Sequence, residues 1–329
     1  MIIDAHAHIV VPEMTRSAAP GEAWRPLVAW ENGRQVVEYG GKRITSAIRE
    51  FVHVESILEN QSSAGVDRAL LCPWVSLLRY ESEPDEGLRI SRIQNEALAR
   101  LAQAYPDRVS ALGTVPLQDP EWAARELEAL MKIPGLHGVE VAASVRGAYL
   151  GDDHFRPFWA AAESTGAVVF IHPTTRGFDA PVFNDYYLWN SVGNPLETTV
   201  TAAHLIMAGV MEAHPGLKVL LAHGGGAILS LRGRLRHAHT FQPQAKSRLK
   251  ESPERSLQRF YFDTVTHDVD LLRALVDYSG LDHVLLGSDY PFDMGVARPA
   301  DIVRDLKLPV ADETKIRGGN AARLLGLDG

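Results

Sequence analysis

The chain has 329 residues, 46% of them hydrophobic and 22% charged, the balance of a folded protein with a large core. Its 33 basic and 41 acidic side chains leave a net charge of −8, so the surface offers no electrostatic reason to bind nucleic acid or an anionic membrane. One cysteine excludes a disulfide framework. With no basic leader and no run near the ~18–20 apolar residues of a membrane span, a cytoplasmic protein is expected.

Short β-rich runs alternate with helical spacing along the whole chain. Strands are predicted over 2–7, 68–72, 109–115, 138–142, 168–172, 218–223, 259–263 and 283–287, and helices over 93–105, 121–131, 155–164, 198–213 and 270–278. Runs such as Val168-Val169-Phe170-Ile171 are apolar at every position, as parallel strands covered on both faces require. Eight such units predict a (β/α)8 TIM barrel, with a doubly wound open sheet as the competing arrangement. Residues 1–329 read as one domain. Cys72, inside Leu70-Leu71-Cys72-Pro73-Trp74, reads as a small buried hydrophobe rather than a nucleophile.

Two connections break the rhythm. Residues 10–50 hold Pro12, Pro20, Pro26, Trp24 and Trp30, with an alternating stretch from Arg34 to Tyr39 that ends in Gly40-Gly41. This predicts an insertion with a small hairpin after the first strand, placed to act as a lid or pocket wall, because loops after barrel strands sit on the catalytic face. The connection 173–195 carries Phe178, Phe183, Tyr186, Tyr187 and Trp189. It reads either as a satellite cluster or oligomer contact, or as a second pocket wall.

The polar residues are placed for chemistry. His6 and His8 lie two apart on a strand, so both imidazoles face one side. His172, His223 and Asp289 fall at the C-terminal ends of predicted strands five, six and eight, where barrel geometry makes side chains converge. Burying such groups at the end of an apolar strand is costly without a partner, and a cation is one partner common to all. His267, shortly after strand seven, is a further candidate for the pocket. His137, His204, His214, His237 and His239 sit in helical or loop settings and read as surface or capping residues.

The runs Ile3-Asp4-Ala5-His6-Ala7-His8, Ala64-Gly65-Val66-Asp67, Val115-Pro116-Leu117-Gln118-Asp119, Gly138-Val139-Glu140, Ile171-His172-Pro173, His223-Gly224-Gly225-Gly226 and Gly287-Ser288-Asp289-Tyr290-Pro291-Phe292, in this order, resemble the amidohydrolase superfamily. Within it they are similar to the aminocarboxymuconate semialdehyde decarboxylase branch. The resemblance implies a metal-dependent TIM barrel in which His6, His8, His172 and Asp289 bind one divalent ion, zinc or alternatively manganese, with no organic cofactor. It makes His223 the acid/base. Three imidazoles and one carboxylate leave the ion net positive, able to lower the pKa of bound water from about 15.7 toward ~7, where a histidine also titrates. Strand four has no lysine to bridge a second metal; Glu140 is the residual candidate for that role.

The resemblance also implies how a carboxylate is held. Arg234 matches an arginine that a neighbouring subunit supplies, which implies a homodimer. Arg43 is the best match to a second carboxylate-binding arginine, with Arg49 competing. Phe292 and Trp74 are candidate pocket walls, though core packing explains them equally. The expected activity is a non-oxidative carboxy-lyase acting on a small unsaturated or aromatic carboxylic acid. The alternative is a metal-dependent hydrolase of an ester, lactone or amide, or a hydratase, on the same scaffold.

Overall fold

The computed structural model describes residues 1–15, 25–32, 34–39, 42–45, 52–174, 178 and 180–327. Eight strands form one sheet: β1 (Ile3–Ile9), β2 (Arg68–Pro73), β3 (Val109–Gly113), β4 (Leu136–Ala142), β5 (Val168–His172), β6 (Lys218–Leu221), β7 (Tyr261–Asp263) and β8 (Val284–Leu285). Each pairs in parallel with the next. The edges meet as well. Ala5 N–H donates to Leu286 O, His8 N–H to Tyr290 O and Asp289 N–H to His6 O, each at 2.8 Å, so the sheet closes into the expected (β/α)8 barrel and the open sheet is excluded.

Helices α1 (Val54–Ser63), α2 (Pro84–Ala104), α3 (Pro120–Leu130), α4 (Arg156–Thr165), α5 (Asn194–Met207), α6 (Ile228–Phe241), α7 (Val269–Ser279) and α8 (Pro299–Asp305) follow the strands. Asp119 and Asp268 cap α3 and α7 by accepting from Trp122 N–H and Leu271 N–H. Strand alternation divides the core. Val169, Ile171, Val219 and Leu221 pack outward against the helices, whereas Val168, Phe170, Leu220, Leu70 and Cys72 form a second cluster that includes Ala321, Ala322 and Leu324. Cys72 is fully buried there, as its setting predicts. No described helix is long and apolar enough to cross a membrane.

Several boundaries differ from expectation. β1 runs on through His8, so both histidines stand on the strand itself. β6 and β8 stop two residues short of 223 and 287: His223 leaves the β6 ladder at φ +56°, and after β8 the Leu286 N–H donates to Ile316 O. The helix expected over 198–213 is two, Asn194–Met207 and Val210–Ala213, divided at Gly209, which adopts φ +68°. The insertion contains a three-stranded antiparallel meander rather than one hairpin: Leu27–Glu31, Arg34–Tyr39 and Lys42–Thr45.

Barrel closure rests on a buried carboxylate. Asp4 accepts from Ser288 N–H (3.0 Å), the Ser288 hydroxyl, Gln61 Nε2 (2.9 Å) and His6 N–H (3.1 Å), joining β1 to the segment after β8. Asp4→Ala leaves these donors without their acceptor, and is expected to cost about 3 kcal/mol or more of unfolding free energy. Urea unfolding measures this; an unchanged midpoint would show that closure does not depend on Asp4.

Candidate active site

The C-terminal end of the barrel gathers four imidazoles around one carboxylate. One donor atom each from His6, His172, His223 and Asp289 lies within 4.8 Å of the others. His8 joins them, its Nε2 3.1 Å from His6 Nε2. Asp289 divides its oxygens. Oδ1 faces His6 Nε2 (3.1 Å), His8 Nε2 (3.4 Å) and His172 Nε2 (3.8 Å), while Oδ2 faces His223 Nε2 (3.3 Å). Donors ~2.0–2.1 Å from a shared ion in tetrahedral array would lie about 3.3 Å apart, so the Oδ1 group has the spacing a small cation requires.

The outer nitrogens of the same three rings are all engaged. His172 Nδ1 donates to Pro173 O (2.9 Å), His8 Nδ1 to Pro73 O (3.1 Å), and His6 Nδ1 pairs with Asp263 Oδ2 (2.6 Å). Carbonyl and carboxylate oxygens accept only, so each Nδ1 carries a proton, and each ring, when neutral, has its Nε2 lone pair free for the centre. Among the described residues, buried His172 Nε2 and Asp289 Oδ1 have no hydrogen-bond partner. Orphaned atoms aimed at one point, in a nitrogen-rich set with one carboxylate, fit a divalent ion. His223 differs: its Nδ1 has no partner among the described residues, so nothing pins that ring's outer nitrogen.

Charge tells the same story. Burial pushes His6 and His8 down, but Asp289 and Asp263 around His6, and Glu140 and Asp289 around His8, raise them to about 10 and about 9. Burial and the neighbouring imidazoles push His172 down to about 3, so it is neutral. Burial opposes ionisation of Asp289, yet His6, His172 and His223 hold its carboxyl well below the usual range. The carboxylates of Asp289, Asp263 and Glu140 therefore favour positive charge at the His6 and His8 rings. A divalent ion would supply positive charge there in place of protons.

His223 opens a turn with no room for side chains after it. Gly224, Gly225 and Gly226 all have positive φ, and a Cβ on Gly226 would strike Pro195 O. Asp263 holds this turn as well as His6, accepting from His223 N–H at 2.9 Å and Gly224 N–H at 2.8 Å. Sequence reasoning passed over Asp263, although a carboxylate ending an apolar strand is the signal that singled out Asp289.

The remaining candidates are distributed unevenly. Phe292 lies edge-on to His8, with ring centroids 5.1 Å apart, and Trp74 lies 6.4 Å beyond it. Tyr187, in the connection after β5, is partly exposed and lies edge-on to Trp189 at 4.9 Å; burial, Asp293 and Asp289 push its phenol up. Glu140 is fully buried, but its Oε2 lies 3.4 Å from His8 Nδ1, behind the ring and away from the centre. That placement does not suit a metal bridge. Arg234 is exposed on α6, and His267 is exposed at φ +55° with no described contact to the cluster. Arg43 stands opposite Glu38 in the meander, with its side chain, like residue Arg49, outside the described residues.

The chain matches the amidohydrolase family model over residues 84–327. It is 33% identical to the 2-amino-3-carboxymuconate-6-semialdehyde decarboxylase of Dictyostelium discoideum, over 80% of this chain and 74% of that protein. It is 30% identical to the 6-methylsalicylic acid decarboxylase of Penicillium expansum, over 74% of this chain and 77% of that protein. The crystal structure of 5-carboxyvanillate decarboxylase from Sphingomonas paucimobilis superposes with a TM-score of 0.78 at 29% identity, covering 84% of each chain.

The geometry predicts that dialysed protein retains one equivalent of divalent metal per chain, and that His172→Ala weakens its affinity by more than ~100-fold, beyond what loss of an outer-shell partner costs. Metal analysis with chelator competition measures both. Wild-type affinity in the variant would remove His172 from the site.

Proposed function

Because the chain belongs to the amidohydrolase family, we propose that it is a metal-dependent decarboxylase, without an organic cofactor, of a small aromatic or unsaturated carboxylic acid. The division of Asp289 carries this reading: three imidazole nitrogens on Oδ1, one on Oδ2. His6, His8, His172 and Asp289 then hold one ion, and His223 is left to move protons. The nitrogen-rich, four-donor set favours zinc, with manganese as the alternative. When bound, the ion supplies positive charge that holds and polarises the oxygens of the acid.

The chain's own groups perform the rest. His223 Nε2, oriented by Asp289 Oδ2, gives a proton to the carbon that bears the carboxylate. The bond from that carbon to the carboxylate breaks, its electron pair returns to the substrate's π-system, and CO2 leaves with hydrogen in its place. Phe292 and Trp74 provide an apolar wall beside His8 for the ring. Arg43, on the meander, and Arg234, from a second copy in a homodimer, are the cations assigned to substrate carboxylate. An exposed Arg234 on a helix whose buried residues are only Ile228 and Leu229 is consistent with that use. Relatives named for decarboxylation of an aminocarboxymuconate semialdehyde and of 6-methylsalicylic acid support the reaction class.

A panel of aromatic and unsaturated acids assayed for CO2 release, beside esters, lactones and amides, tests this. At least one acid should release CO2, and His223→Ala should keep its metal while losing about 10²–10⁴-fold in turnover. Hydrolysis without CO2 release would establish the hydrolase alternative. Arg234→Ala mixed with His172→Ala should restore activity if the arginine acts across subunits; no restoration would confine it to its own chain.

A further inference from the structure

Asp263 ends β7, is fully buried, and moves no proton in the reaction just described. Its four contacts are all with donors. Oδ2 lies 2.6 Å from His6 Nδ1 and 2.9 Å from His223 N–H, while Oδ1 accepts from Gly224 N–H at 2.8 Å and Val265 N–H at 3.0 Å. An ionised carboxylate has about four lone-pair sites, so its accepting capacity is filled. One group thus joins a histidine on β1 to the turn after β6. That turn needs support, because His223 at φ +56° is left-handed without being glycine.

We propose that Asp263 is the positioning residue that couples the two halves of the site: it fixes the His6 tautomer whose Nε2 faces the ion, and it fixes the left-handed turn that carries His223. The inference rests on the reading of His6 as a ligand and His223 as the acid/base. It explains why the position demands a carboxylate. An asparagine of the same shape has one accepting oxygen and an amide that only donates. With its NH2 in the place of Oδ2, it faces His6 Nδ1–H and His223 N–H. His6 relieves the conflict by carrying its proton on Nε2, where it blocks the ion. With its NH2 in the place of Oδ1, it faces Gly224 N–H and Val265 N–H, and the turn must open. The first orientation disturbs His6 and the His223 amide together, and the second disturbs the turn.

Asp263→Asn tests this without a substrate. Zinc affinity, by chelator competition, should fall ~10–100-fold. Amide exchange at His223 and Gly224 should accelerate by at least ~10-fold, while Leu220 and Leu221 in the adjoining strand keep their protection. In zinc-loaded wild-type protein, ¹⁵N NMR of histidine should show His6 with a slowly exchanging Nδ1 proton, a signature that survives even if the variant does not fold. Unchanged zinc affinity, unchanged exchange at His223 and Gly224, or a His6 proton resting on Nε2 would each overturn the proposal. A wild-type protein that binds no zinc would instead remove the metal reading on which it stands.

Discussion

Between β8 and β1 the barrel closes through a few backbone bonds rather than a long ladder, and those bonds set Asp289 against His6 and His8. Asp289 N–H donates to His6 O, and His8 N–H donates to Tyr290 O, so the carboxylate of the last strand is tied directly to the two histidines of the first. The buried Asp4 locks the same seam from below through Ser288 and Gln61. A cation site assembled from the first and last strands exists only in the closed fold. Binding free energy at that site therefore adds to the stability of closure itself.

This seam also explains why so much charge is tolerated in a fully buried place. Asp289, Asp263, His6 and His8 would each be costly to bury alone. Together they compensate one another, and a divalent ion would supply positive charge in place of the protons that the carboxylates draw to His6 and His8. The scaffold contributes orientation: carbonyls of Pro73 and Pro173 and the carboxylate of Asp263 hold three Nδ1 atoms outward. Among the described residues, His223 Nδ1 has no such anchor, while its backbone is held by Asp263. That combination suits the proton-transfer role proposed for it.

Much of this was legible in the sequence because parallel barrel strands are buried on both faces and read as continuous apolar runs. A polar residue at the end of such a run stands out, and His172, His223 and Asp289 were visible for that reason. The strand ends themselves were misjudged, since His223 turns left-handed after β6 and Leu286 bonds away from the ladder after β8. Asp263 carried the same strand-end signal as Asp289, but its ties to His6 Nδ1 and to the main-chain amides of His223 and Gly224 are visible only in the fold. The meander of the insertion was half seen: one alternating stretch was recognised, but its neighbouring strands, Leu27–Glu31 and Lys42–Thr45, are too short to show a clear alternation.

The central claim is that Asp289 separates ligands from acid/base, and the direct test is anomalous diffraction at the metal edge from crystals of the zinc-loaded protein. The account predicts one ion bonded at ~2.0–2.2 Å to Nε2 of His6, His8 and His172 and to Asp289 Oδ1, with His223 Nε2 beyond bonding distance. An ion bonded to His223 in place of His8 would contradict it.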